Sequence, residues 1–351
     1  MRICYFGNYD PEYARNRVII KGLRENGVEV LECNSKSGSW KKYIDLFKIH
    51  RKIGSYRFMI VGYSDSRLLV LLGRFLNRGE FLVWDAFYSL YDSWVFDRKL
   101  VSPNSVKAKY WWFVDWLALR TADGILLDTL THIDYFIKTY KIHKNKFIRI
   151  FVGTDDSVFY PRQIKRESSP DKTNILFYGK FIPLQGIQYI IKAAKILENN
   201  SDIYFRIIGN GQTYSEIRNL ARDLGLKNTE FLEKVPYEKL PSYIESADIV
   251  LGIFGDTDKT LRVIPNKIYE AVAMAKPVIT GDTPAVRELF KDQEDILLCK
   301  VASEQDLSKK IIQLIDNKEL LNSIASNGYR AFSEQAKPTI IAKNLLGALI
   351  D

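Results

Sequence analysis

The strongest constraint on the fold is an alternation of short apolar runs with helical patterns. Arg2 to Phe6 reads as a strand ended by Gly7. A polar loop follows, then Val18 to Asn26 reads as a helix stopped by Gly27. Val28 to Cys33 is a second strand. Strand, glycine, helix, strand is a βαβ unit, and such units build parallel sheets covered by helices. Further strands are predicted at Phe58 to Gly62, Phe81 to Trp84, Gly124 to Leu127 and Phe147 to Phe151. No G-x-G-x-x-G follows the first strand, so a dinucleotide site is not expected there. The loop carrying Gly7 and Asn8 still leaves a strand at its carboxyl end, which is a ligand-facing position in such sheets.

The pattern then restarts. Gln163 to Thr173 is polar and contains Pro170, which reads as a linker. Asn174 to Tyr178 opens a second series, with strands at Ile203 to Ile208, Thr229 to Leu232, Asp248 to Gly252 and Ile296 to Leu298. The chain has 351 residues, 46% of them apolar, enough for two cores of ordinary size. The predicted organisation is α/β, with a first Rossmann-like domain over 1–161, a linker over 162–173 and a second domain over 174–337. Pro338 opens a last helix.

The most informative stretch is Arg262 to Asp282. Ile268, Val272 and Ala275 fall at i, i+4 and i+7, one stripe of a helix. Pro265 suits a first helical turn, and Pro277 ends the helix. Asn266, Lys267 and Glu270 therefore stand at a helix N-terminus directly after a loop. Free N–H groups and the positive dipole end suit a phosphate there, and Lys267 adds a full charge. Glu270 offers two acceptor oxygens, enough for both hydroxyls of a ribose. A capped, solvated first turn is the alternative.

Cysteine and charge bound the remaining classes. Cys4, Cys33 and Cys299 are far apart in sequence, with no CxxC, so neither a disulfide framework nor a zinc site is expected. Free thiols fit a reducing, cytoplasmic compartment. Met1 leads straight into a strand, without a signal-peptide pattern. His50, His132 and His143 are too scattered to form a metal cluster. No apolar run reaches the roughly 18 residues of a membrane span. Residues 1–161 carry 25 Lys and Arg against 17 Asp and Glu, so +8 of the net +9 lies there. That implies an acidic partner, such as an anionic membrane surface or a phosphorylated acceptor. No nucleic-acid-binding motif is present.

Two helices bear on that partner. Trp40 to Ile53 reads as amphipathic, with Tyr43, Ile44 and Phe47 on one side, committed to the core, and Lys41, Lys48 and Lys52 on the other. The lysine face suits a membrane surface, with a simply solvated face as the alternative. In the helix Lys107 to Thr121, Trp112, Phe113 and Trp116 share helical spacing and read as core packing.

The stretch around Glu270 resembles the donor-site segment of family 4 retaining glycosyltransferases of the GT-B fold. That pattern is Glu, seven residues, a second Glu, Ala-x-Ala/Met and Pro-Val-Ile. Glu270 matches the second Glu, which in the family holds the ribose of a sugar nucleotide. Arg262 stands where the first Glu would be. The family also has Gly-Arg, a loop and Lys-Gly, whose basic groups hold the donor phosphates. Here these are Gly179, Lys180 and, in place of the second basic residue, Gln185. Ile203 to Ile208 ends in a Gly209/Gly211 turn that the family often has. Asp-Ala-His at the fourth strand end becomes Asp85, Ala86 and Phe87, so that His is absent. VGTDDSVFYPR resembles the family's junction between domains, and a last helix like 338–351 returns to the first domain in the family.

The resemblance implies two Rossmann-like domains facing across a cleft. It implies a retaining, metal-independent glycosyltransferase of hexosyltransferase type, moving a sugar from a UDP, GDP or dTDP sugar to an acceptor in glycan, polysaccharide or glycolipid synthesis. The acceptor would be a sugar, a lipid-linked group or another acidic molecule. The nucleotide sugar is a co-substrate, and no cofactor is implied. Lys180, Lys267, Arg262 and Asp85 are the expected catalytic groups. Gly179, Lys180, Gly209, Asn266, Lys267 and Glu270 are the expected donor contacts, and Gly7, Asn8, Asp85 and Phe87 the acceptor-side ones. Location is expected in the cytoplasm, peripheral on the inner face of a membrane. A GT-B sugar-nucleotide epimerase or phosphorylase, and a non-catalytic binding or scaffold protein, are the alternatives.

Overall fold

The computed structural model describes residues 1–162 and 172–350. The chain divides into two compact units, Met1–Gly153 with Ala336–Asp351, and Thr154–Gln335. Most of the expected linker, 162–173, lies outside the described residues.

The first unit runs β1 (Arg2–Gly7), α1 (Ala14–Glu25), β2 (Glu29–Asn34), α2 (Lys41–His50), β3 (Phe58–Val61) and α3 (Leu68–Leu76). It continues with β4 (Phe81–Asp85), α4 (Val106–Thr121), β5 (Gly124–Leu127), α5 (Leu130–Tyr140) and β6 (Phe147–Arg149). Its six strands are all parallel, in the order β2-β1-β3-β4-β5-β6. Strands covered on both faces must be apolar throughout, and β3 (FMIV) and β5 (GILL) are buried at every position.

The second unit runs β7 (Thr173–Tyr178), α6 (Ile187–Ile196), β8 (Ile203–Ile208), α7 (Tyr214–Asp223), β9 (Thr229–Leu232) and α8 (Leu240–Ser246). Then come β10 (Ile249–Leu251), α9 (Asn266–Ala273), β11 (Val278–Gly281), β12 (Leu297–Cys299), α10 (Glu304–Asp316) and α11 (Lys318–Gln335). Its sheet is also parallel, in the order β12-β11-β10-β7-β8-β9. The last helix, α12 (Pro338–Ile350), belongs to the first unit and packs on α1. A β-carbon on Gly22 would lie 2.0 Å from the Pro338 carbonyl oxygen, so the two helices meet where α1 has no side chain.

Each sheet reverses direction once. The chain leaves β7 for β8 and β9, then returns to place β10 on the other side of β7. In the first unit the same reversal separates β1 from β3. Loops leaving the carboxyl ends of strands diverge at such a point and open a crevice for ligands. For the second unit these loops begin at Gly179 and Gly252.

Several sequence expectations change. Helix α1 begins at Ala14, before the expected Val18, because Arg15 and Asn16 are buried inward despite their polarity. The apolar side of α2 is only partly committed to the core: Tyr43 packs against it, whereas Ile44 and Phe47 are exposed, as is Trp40, and Leu46 and His50 are the buried residues. Phe113 is exposed as well, whereas Trp112 and Trp116 stack at 6.2 Å and pack against the core. Asp92–Asp97 coils into a π-helical turn whose Trp94 stacks on Trp111. Cys4 and Cys33, distant in sequence, are neighbours in the core of the first sheet, and the Cys33 thiol and burial raise the Cys4 thiol. All three cysteines are free and buried.

Candidate functional site

The site is built on three turns of the second unit. Tyr178 ends β7, and Gly179 follows with φ +149°. Gly209, after β8, has φ +138°, and a β-carbon there would lie 2.0 Å from the Gly179 carbonyl oxygen. Gly211 has φ +153°, and a β-carbon on it would strike the Phe181 backbone. Two neighbouring strand ends are thus bare backbone where they touch. Backbone hydrogen bonds tie them, Gly179 N–H to Ile208 O and Phe181 N–H to Asn210 O, both 3.0 Å.

The third turn leads to α9. Pro265 is its N-cap, one position before the first helical residue. Asn266 is half-buried, while Lys267 and Glu270 are 5% exposed. Lys267 runs inward beneath the β7 turn. Its Nζ donates to Gln185 Oε1 at 2.6 Å, lies 3.4 Å from Gly252 O, and sits 3.6 Å above the centre of the Phe177 ring. A β-carbon on Gly179 would come within 3.2 Å of that Nζ. Burial drives the Lys267 ammonium well below its ordinary pKa, against the opposing attraction of Glu270. Burial also pushes the Glu270 carboxyl up to about 7, partly offset by the Tyr178 hydroxyl and by Lys267. The Tyr178 hydroxyl donates to the Lys267 carbonyl at 3.1 Å and has Glu270 as a second acceptor within reach.

Gly179, Gly209, Lys267 and Glu270 therefore gather with Tyr178, Phe177 and Gln185 at the point where the strand order reverses. Lys180 is exposed beside them, and Arg262 is half-buried in the helical turn Thr260–Arg262 that precedes α9. Tyr178 escaped the sequence reading. Its signal was there in retrospect: the last residue of a strand before a Gly-Lys turn.

The four acceptor-side residues belong to the first unit. Gly7 has φ +151° at the end of β1. Asn8 is spent on structure, its Nδ2 donating to Ser35 O and Ser37 O at 2.5 and 3.3 Å. Asp85 is fully buried, and both its oxygens are held by Arg15 at 3.0–3.1 Å. Asp85 thus stands in the structure as the buried partner of Arg15, which bonds both carboxylate oxygens. Arg15 also donates to Ile150 O and Phe151 O, so the pair braces β4 against the end of β6. Phe87 is half-buried at φ +55°, in contact with Tyr13 and Tyr63 at ring distances of 6.0 and 4.9 Å. Among the described residues no group of three or more His, Cys, Asp or Glu is placed to hold a metal ion.

Residues 161–331 match the family described as glycosyl transferases group 1. An uncharacterized glycosyltransferase of Methanocaldococcus jannaschii, MJ1178, is 26% identical over 245 residues. The matched stretch covers 67% of this chain and 61% of that relative's length. Among solved structures, sucrose-phosphate synthase (tll1590) from Thermosynechococcus elongatus superposes with a TM-score of 0.76 at 15% identity, covering 100% of this chain and 98% of the other. Anabaena Alr3699/HepE in complex with UDP-glucose gives 0.72 at 16% identity, covering 100% and 99%. The chain has the GT-B fold of two Rossmann-like domains, and its residues 161–331 are similar to glycosyl transferases group 1.

Proposed function

We propose that the protein is a retaining, metal-independent glycosyltransferase of the family 4 type. It moves a hexosyl group from a nucleotide-diphosphate sugar to an acceptor in glycan, polysaccharide or glycolipid synthesis. It would need no cofactor and would work in the cytoplasm, at the inner face of a membrane. The observation that carries this reading is the placement of Lys267 and Glu270. Both lie on the first turns of α9, under the Gly179 turn, where β7 and β10 diverge.

In this reading Glu270 accepts hydrogen bonds from the ribose hydroxyls. The Gly179 turn and the α9 N-terminus receive the diphosphate, with Lys180 and Lys267 supplying positive charge and Arg262 lying toward the sugar. Gly209 and Asn266 complete the wall. The bond between the sugar's anomeric carbon and the diphosphate oxygen breaks, and the positive groups stabilise the charge left on that oxygen. The acceptor oxygen forms the new bond on the same face, and its proton passes to the departing phosphate. Gly7 and Phe87 lie on the acceptor side in this reading. Anabaena HepE, which shares the fold, is described with UDP and with UDP-glucose, so a uridine donor is tested first.

A thermal-shift series with UDP, GDP, dTDP and their sugars tests the reading. A ligand at 100 times its Kd stabilises the protein by about 2.7 kcal/mol. No shift with any of them would overturn the donor assignment. Product analysis with and without acceptor separates transfer from epimerisation or phosphorolysis.

A further inference from the structure

The π-helical turn Asp92–Asp97 and helix α4 form one packed surface element. Trp94 stacks on Trp111 at 6.2 Å, and Leu100 N–H and Val101 N–H both bond to the Trp94 carbonyl. Val95, Val101 and Ala108 make a small core beneath it. That core secures the element, yet its outer side is apolar. Val106, Tyr110 and Phe113 fall at i, i+4 and i+7 of α4. Val106 is 84% exposed, and the other two are half exposed. Phe96 and Leu100, on the adjoining segment, are also exposed.

The exposed charges along this element have one sign. From Trp94 to Trp116 the exposed charged side chains are Lys99, Lys107 and Lys109. The two acids of that stretch, Asp97 and Asp115, are buried, and Asp115 is paired with Arg67 at 3.0 Å. Arg98 and Lys107 lie against the Trp94 ring, at 5.9 and 5.8 Å from its centre. Exposed aliphatic and aromatic side chains ringed by lysine suit the boundary between lipid headgroups and acyl chains. A protein partner acidic enough to meet the lysines would leave the Val106, Tyr110 and Phe113 stripe facing charged side chains.

We infer that the Val106/Tyr110/Phe113 stripe of α4, with Phe96 and Leu100, inserts shallowly into an anionic lipid bilayer. Lys99, Lys107 and Lys109 contact the headgroups. The inference deepens the membrane part of the proposed function and is independent of sugar transfer. It also differs from docking through the Lys41, Lys48 and Lys52 face of α2. Insertion gives a hydrophobic component that salt does not remove, whereas the lysine contribution is screened within a Debye length of roughly 8 Å.

The test is sedimentation of the full chain with vesicles of phosphatidylcholine alone and with phosphatidylglycerol added, at low and physiological salt. Three proteins are compared: the natural chain, Val106→Ser/Tyr110→Ser/Phe113→Ser, and Lys41→Glu/Lys48→Glu/Lys52→Glu. The natural chain should bind the anionic vesicles, and the α4 variant should lose about tenfold or more in partitioning. The α2 variant should keep most of its binding at physiological salt. The three α4 positions are exposed, and unchanged melting temperatures would show that the variants fold. Tryptophan quenching by brominated lipid should be strong in the natural chain and lost in the α4 variant. If the natural chain binds and the α4 variant binds equally, this surface is not the contact, although the membrane reading stands. If the natural chain stays in the supernatant throughout, both fall. If it is a dimer that the α4 variant converts to monomer, the stripe is a contact between copies, and the inference is overturned.

Discussion

Lys267 Nζ lies 2.6 Å from Gln185 Oε1, so the lysine of α9 reaches the position where the family pattern would place a second basic residue. The two side chains come from segments far apart in sequence. They meet because Gly179 leaves room above the Phe177 ring, where a β-carbon would lie 3.2 Å from Lys267 Nζ. Gln185, read from sequence as a lost charge, is instead the acceptor that holds another charge in place.

That pairing predicts a non-additive result. Gln185→Lys puts a second ammonium where Lys267 needs an acceptor. It should destabilise the protein by about 2–3 kcal/mol, the scale of a lost charge-assisted hydrogen bond. Lys267→Gln in the same background should restore much of the loss. Urea unfolding of both single variants and the double variant measures this. Simple addition of the two losses would show that the side chains do not act together.

Glu270 makes stability depend on pH. Its folded pKa of about 7 lies above the ordinary value of 4.5, because burial disfavours the carboxylate. As pH rises past 4.5 the unfolded chain releases this proton first, and the folded chain keeps it until about 7. This group's contribution to stability therefore falls across that window and is level above it. The change is of the order of 3 kcal/mol at most. The difference in unfolding free energy between the natural chain and Glu270→Gln should follow this curve. A difference independent of pH would place the group in a solvated site. The same substitution should weaken nucleotide binding about tenfold or more by removing charge-assisted hydrogen bonds. Equal affinities of the two proteins for UDP, GDP and dTDP alike would remove Glu270 from the ribose site.

Sequence and structure part company at particular residues. The sheets were legible because buried parallel strands such as FMIV are apolar throughout, and glycines mark where they end. The α9 site was legible because a helix start, a lysine and a glutamate fall within a few positions. The turn of Gln185 toward Lys267 was not, since it depends on the space above Phe177. The setting of Asp85 was not legible for a related reason. Its partner Arg15 lies in a stretch that reads as polar loop, and nothing local shows that both are fully buried. The exposed side of α4 was misread because a helix with tryptophans on several sides has no clear apolar stripe. The packing of Trp112 and Trp116 against the core does not extend to their neighbour Phe113.

Asp85→Ala should act on folding. It leaves the Arg15 guanidinium buried at 0% exposure without its carboxylate partner. Breaking a buried pair from one side costs about 3–5 kcal/mol. Chemical unfolding should show this loss, and Arg15→Met in the same chain should recover part of it by removing the stranded charge. If Asp85→Ala keeps its stability but loses donor turnover, Asp85 belongs to the chemistry after all.

Gly209 links backbone geometry to the donor site. At φ +138° an L side chain is strained, which costs about 1–3 kcal/mol. A β-carbon would also lie 2.0 Å from the Gly179 carbonyl oxygen, so Gly209→Ala must push the Gly179 turn away. Lys267 Nζ packs against that turn, so the displacement should reach the diphosphate position. Gly225 supplies the comparison. It has φ +62°, but a β-carbon there meets nothing within 4 Å. Gly225→Ala should therefore show backbone strain alone, about 1–2 kcal/mol, with nucleotide affinity unchanged. Gly209→Ala should lose more stability and also bind UDP at least about tenfold more weakly, a change of about 1.4 kcal/mol. Calorimetric titration of both variants with UDP decides the matter. Equal UDP affinity in the two would mean that the close approach of Gly209 to Gly179 serves packing and not the nucleotide.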